Sequence, residues 1–196
     1  MSDRLNKMRQ IKEEIIAFTG SPLAEERRKN GNFPVIGEGS HEADVVFIGE
    51  APGRNEALTG RPFCGSAGKI LDQLLESIEL KREEVYITNI VKDRPPNNRD
   101  LLPDEIEAYA PFLERQLEII EPKLIVTLGR FSSYFILEKF GFKDEIKPIT
   151  QIRGQIFGDK ILPLFHPAST IYDRDKKDIL FNDFKVIRRC LTNLNR

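Results

Sequence analysis

Four short apolar runs, at residues 44–49, 85–90, 124–128 and 161–165, recur along the chain, and longer stretches between them carry apolar residues at helical spacing. A strand buried on both faces reads as a continuous apolar run, whereas a half-buried helix shows a stripe at i, i+3 and i+4. Ile70, Leu71, Leu74, Leu75 and Ile78 make such a stripe over residues 66–78, and Ile106, Ala110, Leu113, Leu117 and Ile120 make another. The second opens on Pro103-Asp104-Glu105, where proline suits the first helical position and carboxylates suit the positive end of the dipole. Strands alternating with helices need crossover connections, and these are right-handed. The pattern predicts an α/β fold, with a mostly parallel sheet and helices on both of its faces.

The remaining segments fit around this frame. Leu5, Met8, Ile11, Ile15 and Phe18 give a helical stripe over residues 5–18. Residues 19–41 hold four glycines, two prolines and the basic run Arg27-Arg28-Lys29, and read as a long irregular connection. A helix is expected from Gly129 to about residue 140, a weaker strand pair over 146–157, and a last helix over 177–194. Nothing repeats, and 196 residues suffice for one sizeable core. A single domain over 1–196 is therefore expected, with helix and connection in 1–43 and the core in 44–196.

Composition narrows the function classes. The formal net charge of −1 makes no case for nucleic acid across the whole chain, although a local basic rim is left open. No apolar run approaches the ~20 residues of a membrane span, and the charged start Met1-Ser2-Asp3-Arg4 lacks the apolar core of a signal peptide. A cytoplasmic location is the expectation. Two cysteines, Cys64 and Cys190, are too few for a disulfide framework or a cluster, and read as ordinary thiols of a reducing compartment.

The chemistry gathers where the apolar runs end. Ligands of open α/β sheets bind at the carboxyl ends of the strands. The first run ends in Gly49-Glu50-Ala51-Pro52-Gly53, a carboxylate in a turn shaped by glycine and proline. Glu50 is either a site carboxylate or a surface one. Downstream, Arg61-Pro62-Phe63-Cys64-Gly65-Ser66 leads to a helix start, with Ser66 as a candidate cap. Phe63 either enters the core or, among small residues in a loop, faces a flat ligand. Asn89 ends the second run, as a turn residue or as an amide whose donors and acceptor match a nucleobase edge. His166-Pro167-Ala168-Ser169 follows the last run, and His166 is either structural or presents a ring nitrogen to developing negative charge. The loop beyond, through Tyr172 to Arg174, mixes hydroxyls and cations that suit phosphates or plain solvent.

In order, Gly49-Glu50-Ala51-Pro52-Gly53, Gly60-Arg61-Pro62-Phe63 with Gly65-Ser66-Ala67-Gly68, Tyr86-Ile87-Thr88-Asn89, Arg94-Pro95-Pro96-Asn97-Asn98-Arg99, Leu128-Gly129, Arg153-Gly154 and His166-Pro167-Ala168 resemble the uracil-DNA glycosylase superfamily, most closely its family 4. The resemblance covers about residues 19 to 190. It implies a three-layer αβα sandwich around a short sheet, and hydrolysis of the N-glycosidic bond of uracil in DNA. By matching position it makes Glu50 the carboxylate that assists water attack, with Gly49, Ala51 and Pro52 at the uracil pocket. Phe63 stacks on the base, Asn89 reads its polar edge and His166 binds uracil O2. Arg61, Ser66, Ser169 and Arg174 are expected to touch DNA. Uracil-containing DNA is thus the implied partner, and a monomer with no membrane association is expected.

Those residue types suit the chemistry. Extruding a base from a duplex costs about a few kcal/mol, and stacking on an aromatic ring returns roughly 1–3 kcal/mol without regard to base identity. Discrimination then falls to Asn89, since cytosine would leave buried polar groups unpaired. A fixed donor at uracil O2 is worth ~3–4 kcal/mol by analogy with oxyanion holes.

The chain departs from family 4 in one respect. The resemblance places the four cysteines of an iron–sulfur cluster at Phe18, Ser21, Asp93 and Tyr109, none of which is a thiol. Cluster ligation requires thiolates, so no cofactor and no metal is expected, with packing of Phe18 and Tyr109 substituting for the staple. Residues 91–102 contain no histidine, so turnover is expected rather than the covalent trapping of one superfamily branch. Two other readings stay open: excision of hypoxanthine or xanthine, set by pocket width near Ala51 and Cys64, and a non-catalytic binder of uracil or damaged DNA.

Overall fold

A computed structural model describes residues 3–194. Its sheet has five strands, β1 (Glu38–Gly39), β2 (Val45–Gly49), β3 (Tyr86–Asn89), β4 (Leu124–Leu128) and β5 (Ile161–Leu164), in the order β1-β3-β2-β4-β5. All neighbours run parallel except β1, which pairs antiparallel with β3. Every residue of β2, β3, β4 and β5 is buried, which explains their continuous apolar sequences.

Side chains alternate across the sheet with a period of two, and the two sets build two cores. Val46, Ile48 and Ile125 face a layer formed by α1 (Asp3–Ala17), α5 (Pro103–Ile120) and α6 (Arg130–Lys139), joining Ile11, Ile15, Tyr109, Leu113 and Ile136. Val45, Phe47 and Val126 face α4 (Ser66–Ser77) and α8 (Arg174–Leu194), joining Leu71, Leu74, Leu75, Phe184 and Ile187. The result is the expected αβα arrangement. Each fully buried Leu or Phe contributes about 1.5–3 kcal/mol relative to exposure, so the stripes read from the sequence are the main cohesive element. No helix among the described residues is long and apolar enough to cross a membrane.

Three expectations need correction. The connection over 19–41 is not wholly irregular: it contains α2 (Pro22–Lys29) and β1. Ser21 caps α2 by accepting from Leu23 N, and Pro22 takes its first position. The strand pair over 146–157 does not form. Its place is taken by a 3-10 turn (Lys143–Glu145) and the one-turn helix α7 (Ile149–Ile152), with a single antiparallel bridge between Phe157 and Ile161. Gly154 and Gly158, at φ +73° and +55°, turn the chain before a second strand can extend. Ser66 is the first residue of α4 rather than its cap; the cap position is Gly65, with no side-chain bond.

The outer edges of the sheet carry distinct chemistry. On β5, Pro163 pairs inward with Thr127, while its carbonyl accepts outward from Gly154 N at 2.9 Å. On the other side β1 spans two residues, and Gly39 lies so close to β3 that a Cβ would fall 1.8 Å from the Val85 carbonyl oxygen.

Candidate active site

After β2 the chain reaches β3 on one side of it and β4 on the other, so strand order reverses at β2. Such a switch point opens a crevice at the strands' carboxyl ends. The crevice here is a cavity of about 430 Å³, lined by Glu50, Ala51 and Pro52 after β2, Asn89 at the end of β3, His166 after β5, Phe63 from the loop before α4, and Ser66 at the start of α4. Residues from three strand ends and one returning loop therefore converge.

At Gly49 the pocket wall comes close to the strand end. A Cβ there would fall 2.3 Å from Asn89 Oδ1 and 2.8 Å from Phe63 Cζ, so glycine allows the amide and the ring to lie over the strand end. Asn89 is 2% exposed. Its amide has no hydrogen-bond partner in the protein among the described residues, which leaves it turned to the pocket with its donors and acceptor free.

Phe63 adopts a left-handed backbone at φ +47° and is held there from two sides. Gly68 passes so close that a Cβ would lie 1.8 Å from the Phe63 carbonyl oxygen. Glu56, on α3 (Arg54–Thr59), accepts from Cys64 N at 3.1 Å and Gly65 N at 3.2 Å through one carboxylate oxygen. The Phe63 ring belongs both to the core beneath the sheet and to the pocket wall. It stacks on the His166 ring with centroids 5.6 Å apart and planes at 28°.

His166 Nδ1 accepts from Ala168 N at 3.1 Å. A nitrogen that accepts carries no proton, so the neutral ring bears its hydrogen on Nε2. Burial pushes the imidazole down to about 4, which keeps that neutral form at physiological pH. Ser169 Oγ donates to the His166 carbonyl at 2.8 Å and fixes the same turn. Behind the ring, Gly129 sits at φ +99°, where a Cβ would approach His166 Cβ at 3.1 Å.

Glu50 is half-buried, and burial first, then the charge of Asp100, raises its carboxyl to about 7, while Arg130 opposes the shift. Arg130 Nη2 also donates to Asp100 at 3.0 Å. A carboxyl poised near neutrality at a pocket is suited to accept a proton from water.

The other expected contacts lie apart from the cavity. Arg61 is not part of its lining and is paired with Glu38, Nη2 to Oε1 at 2.8 Å. Ser169 and Arg174 also lie outside the lining, the latter at the exposed start of α8. Cys64 is not a lining residue either; its Sγ lies 3.3 Å from Thr59 Oγ1. Sequence reasoning missed Glu56, Asn98 and Arg99 at the pocket. Arg99 makes a bidentate pair with buried Glu105, at 2.6 and 2.9 Å, and its signal in the sequence was the motif Arg94-Pro95-Pro96-Asn97-Asn98-Arg99.

The model of the uracil DNA glycosylase superfamily matches residues 36–191. The chain belongs to this superfamily. Among similar curated proteins, the type-4 uracil-DNA glycosylase of Sulfurisphaera tokodaii is 44% identical over 192 residues, covering 94% of this chain and 84% of that protein. The type-4 uracil-DNA glycosylase of Archaeoglobus fulgidus is 45% identical over 160 residues, 78% of this chain and 79% of that protein. That of Thermotoga maritima is 40% identical over 181 residues, 90% of each.

Family 4 resemblance raises the question of an iron–sulfur cluster. The four positions it designates do meet in space. Tyr109 Oη donates to Asp93 Oδ2 at 2.5 Å, the Phe18 and Tyr109 rings meet edge to face at 5.2 Å, and Ser21 begins the helix beside them. Buried Arg27 completes the knot: it pairs with Asp93 at 3.3 Å and donates to the carbonyls of Ile15, Ile16 and Phe18. Burial raises the Asp93 carboxyl, and Tyr109 and Arg27 pull it back down. Two aromatic rings, a hydroxyl and a carboxylate already bonded to Tyr109 and Arg27 do not fit a cluster that needs thiolates. Cys190, on α8, and Cys64 stand elsewhere.

Proposed function

We propose that this enzyme hydrolyses the N-glycosidic bond of a uracil flipped out of DNA, without a metal or an iron–sulfur cofactor. The observation that carries the reading is the convergence of Glu50, Asn89, Phe63 and His166 on one cavity, with the His166 Nε2 hydrogen left free to donate. Uracil enters against Phe63. Asn89 donates to O4 and accepts from N3–H, an arrangement that cytosine reverses. Glu50, ionised, takes a proton from the water that attacks the sugar carbon. As the bond breaks, charge grows on uracil O2, and the neutral imidazole donates a hydrogen bond to it. A neutral donor suits this role, because it needs no proton transfer to hold an anionic base.

Phosphate contacts are assigned to Ser66, which lines the cavity at the start of α4, and, beyond the lining, to Ser169 and Arg174. Arg61 and Arg99 are both paired with carboxylates, but only Arg99 lines the cavity, which makes Arg61 the weaker candidate. A monomer is proposed, and the free thiols suit a reducing cytoplasm. The Tyr109–Asp93–Arg27 knot is proposed to tie α1, α2, α5 and the loop after β3 together in place of the cluster.

The test is excision from single-stranded and duplex oligonucleotides carrying one uracil, with alkali revealing abasic sites, beside the Glu50→Gln variant. Uracil-dependent cleavage that is lost in Glu50→Gln while DNA binding persists is expected. Binding without cleavage by the wild-type protein would instead favour a sensor of uracil. Iron analysis of anaerobically purified protein addresses the cofactor, and iron near one cluster per chain would overturn that part.

A further inference from the structure

Lys92 lies three residues beyond Asn89 and is fully buried, at 0% exposure. Among the described residues it makes no ion pair. Its Nζ instead sits among three neutral oxygens: Thr88 Oγ1 at 2.7 Å, the Asn89 carbonyl at 2.8 Å and Gln116 Oε1 at 2.7 Å. The hydrogens of those partners are already committed. Thr88 Oγ1 donates to the Ile36 carbonyl at 2.9 Å. The Gln116 amide nitrogen donates to the same carbonyl at 3.0 Å and to Tyr86 Oη at 3.1 Å. A backbone carbonyl has only lone pairs to offer. All three bonds therefore need hydrogens from Lys92, and only the ammonium form has three.

Keeping an unpaired cation in a dry interior is expensive, and apolar residues of similar size commonly serve stability as well or better. Burial accordingly draws the Lys92 ammonium down to about 7. The placement gives the expense a use. Asn89 is the last residue of β3, and the chain just after it returns two bonds to the neighbouring strand end: Ile90 N to the Gly49 carbonyl at 3.1 Å and Val91 N to the Glu50 carbonyl at 3.3 Å. Lys92 grips the Asn89 carbonyl at the point where the strand becomes this turn.

Resting on the glycosylase reading, we infer that Lys92 is a positioning residue for base recognition: its ammonium fixes the Asn89 backbone, so that the Asn89 amide, which has no protein partner of its own, faces the base. Lys92 touches neither DNA nor base. It acts through Asn89, and its loss lets the amide wander by a fraction of an ångström to an ångström, a displacement that costs up to about 100-fold in rate.

The experiment compares wild-type protein, Lys92→Met and Tyr109→Phe, a destabilising control whose side chain does not line the cavity. Measured are single-turnover excision from a uracil oligonucleotide, the affinity for that oligonucleotide, and calorimetric binding of free uracil. For Lys92→Met the expected result is a roughly 10- to 100-fold lower excision rate and at least tenfold weaker uracil binding. Oligonucleotide affinity stays within about threefold, since phosphate contacts dominate it. Tyr109→Phe loses melting temperature but keeps both rate and uracil affinity. Should Lys92→Met not melt cooperatively, Lys92→Gln, shorter and with two donors, is expected to show a smaller loss of the same pattern. Wild-type rate and uracil affinity in either lysine variant, or equal losses in Tyr109→Phe, would overturn the inference. Inactive wild-type protein that binds free uracil would sink the glycosylase reading alone, and the uracil affinities would still test Lys92.

Discussion

Gly49→Ala is the sharpest probe of the site, because it adds a single carbon at a defined place. Gly49 is not among the residues with positive φ, so alanine adopts its backbone without strain. The new methyl would meet Asn89 Oδ1 at 2.3 Å and two Phe63 ring carbons at 2.8 and 2.9 Å. The amide contact is about 1 Å short of a comfortable van der Waals separation. Since β2 is the central strand, the strand stays and the side chains retreat. Overpacking of this kind costs about 1–3 kcal/mol of stability. A displacement of about 1 Å at the group that reads the base costs on the order of 100-fold in rate, or roughly 2.7 kcal/mol of transition-state stabilisation. Single-turnover excision and thermal melting measured on the same sample give both quantities. An excision rate within about threefold of wild type in a folded Gly49→Ala protein would refute the idea that Asn89 and Phe63 must lie over this strand end.

Four further outcomes follow from the same geometry. Glu50 titrates near 7 and must be ionised to act as a base, so the excision rate should climb with pH up to about 7, above which loss of the Lys92 ammonium, itself drawn down to about 7, should turn the profile over; a flat profile from about pH 5.5 to 7 would remove Glu50 from that role. Because its folded carboxyl is raised from 4.5, the folded state holds the proton more tightly and loses stability as pH rises from 4.5 towards about 7. Glu50→Gln should therefore raise the melting temperature at pH 8 and leave it unchanged at pH 4. His166→Ala removes the donor to the leaving base and should slow excision by about 100- to 1,000-fold with oligonucleotide affinity retained, an expectation that a loss below tenfold would defeat. Tyr109→Phe leaves the Asp93 carboxylate with Arg27 alone, which should cost about 1–3 kcal/mol and lower the melting temperature by several degrees, with no change in excision at 25 °C.

The strands and the large helices were legible because their burial follows a period that the sequence prints directly. Val45 to Ile48 are apolar in succession because β2 is covered on both faces, and Leu71, Leu74 and Leu75 recur because α4 is covered on one. Helix α2 was not legible by that signal. Its segment is dominated by Glu25, Glu26, Arg27, Arg28 and Lys29, and it is held by a serine cap and by Arg27, whose buried partners come from α1 and from Asp93. Glu50, Asn89 and His166 were visible because polar residues at the ends of apolar runs are exceptional. Glu56 was not, since its value depends on a loop folding back to bring two backbone N–H groups to its carboxylate. Lys92 carried no signal of its own in the sequence: the oxygens that make its burial tolerable come from residues 88, 89 and 116, and no local pattern announces that meeting.

The two margins of the sheet bear on how the protein behaves in a crowded solution. A parallel sheet ordinarily ends in rows of open amide groups, which invite strands from other molecules. On β5 the outward position that would offer a hydrogen belongs to Pro163, which has none, and its carbonyl is already occupied by Gly154. On the opposite side β1 ends after two residues, too short to template another chain, with Gly39 pressed against the strand behind it. Neither border can be extended by recruitment. The protein should tolerate high concentration and partial heating without strand-mediated self-association, so that what aggregation occurs begins only after the sheet itself has come apart.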